Sequence, residues 1–307
     1  MKKILVICGP TATGKSTLAV NLAKKFNGEI ISADSRQVYR GLDIGSGKIT
    51  DEEKQGVNHY LLDVASPKRR YSAAQYASLA KKIIHKIQKK GNLPILCGGT
   101  GFYLQAVIND LTFPAVKPDW VLRKKLEKLN IRSLQKKLKE KDLKRWERMN
   151  ESDRQNPRRL IRALEIIEKT GQPVPGVNRN YQKFDVLAIG IYAPLGVLKE
   201  RIKKRLFLRL NQGMVEEVRN LLNSGVSAIR LEELGLEYRW VCRFLQNRLT
   251  KKEMIENLLK DIYDYARRQM TWFKKFLRLV RGEWFDITSQ NWQKKVEDRV
   301  LQWYNSS

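Results

Sequence analysis

With 307 residues, 42% of them hydrophobic, the chain has the composition of a soluble globular protein and the length for one large domain or two modest ones. Sixty Lys and Arg against 32 Asp and Glu leave a formal net charge of +28, which points to a polyanionic partner, nucleic acid first. Three scattered cysteines (Cys8, Cys97, Cys242), an opening apolar run too short for a signal peptide, and no apolar stretch of bilayer length argue against a disulfide scaffold, secretion and membrane insertion, and favour a reducing, cytoplasmic location.

Strand and helix patterns alternate through the first third. Lys3 to Cys8 (KILVIC) reads as a strand, followed by a glycine-rich turn and an amphipathic helix from Lys15 to Phe26. A strand Glu29 to Ala33, a polar loop to Lys48, a strand-like His59 to Val64, a helix Ser72 to Lys90 and a strand Leu93 to Cys97 follow. Continuous apolar strands between helices predict a parallel sheet covered on both faces. From about Val116 to Asn150 the composition turns to lysine, arginine, leucine and glutamate without strand signal. That stretch is expected to be a small helical insertion, either RNA-facing or simply solvated. A helix Asn156 to Lys169 ends at Gly171, Phe184 to Ala193 returns as a strand, and the remainder reads as almost wholly helical.

Two of the later helices divide into faces. Leu198, Ile202, Leu206 and Leu210 form a packing stripe beside Arg201, Arg205 and Arg209. Ile262, Ala266, Met270, Phe273 and Leu277 form another, with Arg267, Thr271, Lys274 and Arg278 opposite. The fold class that results is α/β: a P-loop, nucleotide-kinase-like parallel sheet covered by helices, with a small all-helical insertion and a helical C-terminal region. Residues 1–115 and 151–307 are assigned to the core with its extension, and 116–150 to the insertion.

Gly9-Pro10-Thr11-Ala12-Thr13-Gly14-Lys15-Ser16 fits G-x-x-x-x-G-K-[ST] between a strand and a helix, the context that gives the pattern its meaning. Backbone N–H groups and a helix N-terminus then surround a phosphate, Lys15 adds charge, and the Ser16 hydroxyl is placed to ligate Mg²⁺. ATP is the default ligand of such a loop, but nucleotide hydrolases usually end a later strand in a carboxylate. Here Leu93 to Cys97 runs into Gly98-Gly99-Thr100-Gly101. The nearest acid is Asp34, after the second strand, where an Asp is more often a turn former or helix cap than a base. Ligands of open parallel sheets bind beyond the carboxyl ends of the strands, so the loop, Asp34 and Thr100 are expected to share one cleft suited to group transfer.

Taken together, the loop Gly9 to Ser16, DSRQVYRGLDIGSGK at Asp34 to Lys48, and GGTGFYLQAV at Gly98 to Val107 closely resemble the bacterial tRNA dimethylallyltransferase family. NPRRLIRALE at Asn156 to Glu165, RIKKRLFLRLNQGMVEEV at Arg201 to Val218 and ARRQMTWF at Ala266 to Phe273 extend the resemblance along essentially the whole chain. It implies transfer of a dimethylallyl group from dimethylallyl diphosphate to N6 of the adenosine beside the anticodon (position 37) of tRNA, with Mg²⁺, by a monomer acting on the anticodon stem-loop. On that resemblance Asp34 accepts the amine proton. Arg205 neutralises the leaving diphosphate together with Gly9, Thr11, Ala12, Thr13, Gly14, Lys15, Ser16 and Thr17. Thr100 bonds near the bridging oxygen or near N6, and Ser16 holds the metal. Asp34, Ser35, Arg36 and Gln37 meet the flipped adenosine, while Arg158, Arg159, Arg162, Arg267, Arg268, Gln269, Thr271 and Lys274 lie on RNA.

The family's usual D-I-G-T-A-K-P reads Asp43-Ile44-Gly45-Ser46-Gly47-Lys48-Ile49, without the stiffening proline. Leu234-Gly235-Leu236-Glu237-Tyr238-Arg239 stands for a Gly-Tyr-Lys/Arg pattern, so no RNA contact is carried over there. Three other readings remain: prenylation of free adenine nucleotides, which needs no basic helices; a P-loop small-molecule kinase; and a non-enzymatic RNA-binding protein, which leaves the loop unexplained.

Overall fold

The computed structural model describes residues 2–111, 113, 114, 116–174 and 184–306. They divide into two compact units, Met1–Asp110 with Asn180–Ser307, and Leu111–Arg179.

The first unit begins with β1 (Lys3–Cys8), α1 (Lys15–Lys25), β2 (Gly28–Ser32), α2 (Asp51–Lys54), β3 (His59–Tyr60), α3 (Ala73–Lys89), β4 (Leu93–Gly98) and α4 (Gly101–Ile108). The second unit contributes α5 (Trp120–Glu127), α6 (Ile131–Lys141), α7 (Leu143–Arg148), α8 (Glu151–Arg154) and α9 (Pro157–Thr170). The first unit resumes with β5 (Asp185–Tyr192), α10 (Leu195–Asn211), α11 (Met214–Asn223), α12 (Ala228–Leu234), α13 (Leu236–Leu245), α14 (Lys251–Leu279), β6 (Glu283–Asp286) and α15 (Trp292–Asn305).

Among the described residues the six strands run parallel in the order β3-β2-β4-β1-β5-β6. Central β1 pairs Leu5 with Ile95 on one side and with Leu187 on the other, and Ile4 to Cys8 are wholly buried, as a sheet covered on both faces requires. The three cysteines are free and buried. Burial pushes the Cys8 and Cys242 thiols up, and the Cys97 thiol to about 12, so they act as small apolar side chains.

One strand expectation needs correction. The strand predicted over His59 to Val64 stops at Tyr60, because Leu61 and Asp63 adopt left-handed backbone (φ 63° and 58°) that cannot continue a ladder. The region after Phe184 to Ala193 is almost wholly helical, as expected, with Glu283–Asp286 added as β6 at the edge beside β5.

The second unit packs Leu134, Leu138, Leu160 and Leu164 into its own core. It takes in α9, whose apolar face meets α5 and α6, and so is wider than the stretch 116–150. Asn156 caps α9 through its side chain and Gly171 (φ 64°) closes it. Glu165 is fully buried, accepting from Arg123 Nε and Nη2 at 2.8 Å each, from Asp119 N–H at 2.6 Å, and from Arg162. Burial raises its pKa, but these donors outweigh burial and hold the carboxyl below its ordinary value.

Candidate active site

At the carboxyl ends of the strands, the first unit encloses a cavity of about 540 Å³. The phosphate loop, the Asp34–Gln37 turn, the Gly45–Gly47 loop, the Gly98–Gly99 turn, and the inner faces of α10 and α14 line it. The loop is shaped by its glycines. Gly9 has φ 145°, and a β-carbon there would strike the Ile191 carbonyl at the end of β5. Gly14, at φ 88°, starts α1 without a side-chain cap, leaving the first amides of the helix open to an anion beside Lys15, Ser16 and Thr17. Lys15 Nζ and Thr13 Oγ1 both donate to the Pro10 carbonyl, at 2.5 and 2.9 Å, which curls the loop. Burial pushes the Lys15 ammonium down to about 8.

The cavity is electrically lopsided. Six cations line it (Lys15, Arg36, Arg201, Lys204, Arg205, Arg209) against three carboxylates (Asp34, Glu53, Glu237), so an anionic ligand completes the charge balance. Arg205 donates to Thr11 Oγ1 at 3.3 Å and Arg209 to Gly45 O at 3.0 Å and Glu237 Oε1 at 3.2 Å. Burial, with Arg209 alongside, lowers Arg205 to about 10. Glu237, also buried, is raised by desolvation.

Asp34 both makes the turn and lines the cavity. Its Oδ1 accepts from the N–H of Arg36 at 2.8 Å and of Gln37 at 3.4 Å, which makes the turn. No hydrogen bond among the described residues engages Oδ2, and the carboxylate lines the cavity. Thr100 follows the lining Gly98 and Gly99 in the chain but is not itself among the lining residues; its hydroxyl accepts from Ser35 N–H at 2.9 Å, tying the β4 turn to the Asp34 turn.

The residues expected on RNA separate. Ser35, Arg36 and Gln37 line the cavity with Asp34. Arg267, Arg268, Thr271 and Lys274 are exposed on one face of α14, Arg267 pairing with Asp264 at 3.0 Å. Gln269 lies on the opposite face, 6% exposed, and replaces Met270 in the packing stripe. In the second unit Arg162 is committed to Glu165 and to Val116 O, whereas Arg158 and Arg159 are exposed, Arg159 pairing with Asp153.

The sequence reading missed the supports of the Asp43–Lys48 loop. Glu217 accepts from the backbone N–H of Asp43, Ile44 and Gly45 at 2.9, 2.5 and 3.0 Å, and from the Tyr238 hydroxyl at 3.1 Å. Gly47 (φ 60°) occupies the position where a methyl group would collide with the guanidinium groups of Arg205 and Arg209. The doubled acid of the MVEE run was the only sequence signal for Glu217. Among the described residues, no three His, Cys, Asp or Glu side chains cluster to hold a metal. The donor set, a cavity-lining Ser16 hydroxyl in a phosphate cradle with Asp34 on the same cavity, fits a cation whose coordination is completed by substrate oxygens and water.

Residues 37–276 match the family model for IPP transferase. A tRNA dimethylallyltransferase of Acetivibrio thermocellus is 41% identical over 283 residues, covering 90% of each chain. One of Caldanaerobacter subterraneus subsp. tengcongensis is 36% identical over 98% of this chain and 97% of its own. Among solved structures, a full-length tRNA isopentenylpyrophosphate transferase from Bacillus halodurans superposes with a TM-score of 0.73 at 33% identity, covering 99% of this chain and 97% of that one. A eukaryotic dimethylallyltransferase acting on tRNA gives 0.81 at 26% identity, with coverages of 98% and 78%.

Proposed function

The chain belongs to the IPP transferase family, and from that premise we propose how its cavity works. The enzyme transfers a dimethylallyl group from dimethylallyl diphosphate to N6 of the adenosine next to the anticodon (position 37) in tRNA. The observation that carries the mechanism is that the phosphate loop, Asp34 and Arg205 line one cation-rich cavity.

The diphosphate sits on the open amides of α1, with Lys15, Arg205 and Thr11 to Thr17 around it. As N6 bonds to C1 of the prenyl chain, the C1–O bond breaks and its electron pair leaves with the diphosphate, whose charge Lys15 and Arg205 meet. The N6 proton passes to Asp34, whose free Oδ2 is the receiving atom. The Ser16 hydroxyl would hold Mg²⁺, which would supply further charge neutralisation for the leaving group. Ser35, Arg36 and Gln37 hold the extruded adenosine beside the base, and Thr100 keeps that turn in place through Ser35. Arg158 and the outer face of α14, with Arg267, Arg268, Thr271 and Lys274, meet the phosphates of the anticodon stem-loop. Arg159 and Arg162 lend charge there while holding their carboxylate partners. The protein acts as a monomer in the cytoplasm. No helix among the described residues is long and apolar enough to cross a membrane.

The test is to incubate the protein with Mg²⁺, dimethylallyl diphosphate and either unmodified tRNA or AMP, and to weigh the products. Prenylated tRNA without prenylated AMP is expected. Prenylated AMP would move the activity to free nucleotides.

A further inference from the structure

The inner face of α14 is apolar at Ile262, Ala266, Phe273, Phe276 and Leu277, and it carries one amide, Gln269. Burying a primary amide is costly unless both ends are bonded, and both are. Oε1 accepts from Thr11 N–H in the phosphate loop at 2.9 Å, and Nε2 donates to Gly99 O in the turn after β4 at 2.9 Å. The approach is close enough that a β-carbon on Gly99 would lie 2.5 Å from Nε2. From Gly99 the chain of contacts continues through the next residue, since Thr100 Oγ1 accepts from Ser35 N–H and so reaches the turn held by Asp34. Thr11 in turn bonds Arg205.

We infer, resting on the prenyl-transfer reading above, that Gln269 is a positioning residue: its amide fixes the phosphate loop against the Gly99–Thr100 turn and thereby sets the distance between the leaving diphosphate and the proton acceptor. Its place on α14 is inward, where it lines the cavity behind the loop and the turn that it joins. Reaction rates respond steeply to such spacing, because a shift near 1 Å costs on the order of a hundredfold.

Two variants of the full chain test this. Gln269→Ala removes both bonds, and the single-turnover rate at saturating dimethylallyl diphosphate and anticodon stem-loop is expected to fall by roughly ten- to a hundredfold, with both dissociation constants nearly unchanged. Gln269→Glu keeps the shape. Protonated, its carboxyl accepts from Thr11 and donates to Gly99 O; ionised, it faces that carbonyl with like charge. The ratio of the Glu variant's rate to wild type is therefore expected to rise as pH is lowered from about 8.5 to about 6, while the Ala variant's ratio stays flat. A wild-type rate constant with weakened RNA binding in Gln269→Ala would make Gln269 an RNA contact and overturn the inference. So would a pH-independent ratio for Gln269→Glu, which decides the matter alone if the Ala variant does not fold. Wild-type protein that prenylates no tRNA would overturn the functional reading itself; active wild type with unaffected variants would overturn only the role of Gln269.

Discussion

The cavity at the strand ends and the helical unit Leu111–Arg179 are both rich in arginine and use it in opposite ways. In the helical unit the cations that make ion pairs and ring contacts are spent on the fold. Arg123 and Arg162 converge on Glu165, Arg159 meets Asp153, Lys169 meets Asp119 at 3.1 Å, and Arg154 stacks over Trp146 at 4.7 Å. Around the cavity, cations outnumber carboxylates six to three, and Lys15 and Arg205 are both pushed below their ordinary values by burial. A net charge of +28 announces a polyanion without saying which arginines meet it; local imbalance does.

The largest effect expected from this contrast is at the cavity. Asp34→Ala should lower single-turnover prenyl transfer by roughly a hundredfold or more while leaving stem-loop binding largely intact. Unchanged turnover would reduce Asp34 to a turn former. In the helical unit the matching change is structural: Glu165→Ala strands two half-buried arginines and is expected to cost about 2–3 kcal/mol in chemical unfolding, the low end for a broken buried pair because both retain some exposure. Little loss of stability would mean that those arginines are held by something else.

A smaller effect follows from Lys15. Its ammonium is lowered to about 8 in the free site, and a bound diphosphate favours the charged form, so binding takes up a proton at higher pH. Affinity for dimethylallyl diphosphate should be full below about pH 8 and weaken by up to about tenfold per pH unit above it, with Lys15→Arg flattening the profile. Smallest is the outer face of α14. Reversing Arg267 and Lys274 to glutamate should weaken tRNA binding and reduce the magnitude of its logarithmic salt slope by about 0.7–0.9 per lost phosphate contact. An unmoved slope would make that face a solvated surface like most of the helical unit.

What the sequence made legible was local. The phosphate loop could be read because its pattern encodes a turn and a helix start within eight residues, and α9 because Asn156 and Gly171 mark its ends. Missed features depend on partners far along the chain. Gln269 shares a sequence run with the exposed basic stripe, and only the fold turns it toward Thr11 and Gly99, 258 and 170 residues away. Gly47 and Glu237 lie in the two stretches that depart from the family pattern, Asp43 to Ile49 and Leu234 to Arg239. They meet at Arg209, whose guanidinium occupies the space a methyl group at 47 would fill and bonds the Glu237 carboxylate. Short β6 carries too few residues to show a strand period.

The central claim is that the phosphate loop cradles a leaving diphosphate rather than a nucleotide triphosphate. Equilibrium binding of dimethylallyl diphosphate and of ATP, each with Mg²⁺, to wild type and Lys15→Ala tests it most directly. The account predicts tighter binding of dimethylallyl diphosphate, lost in the variant; tighter, Lys15-dependent binding of ATP with its turnover would contradict it.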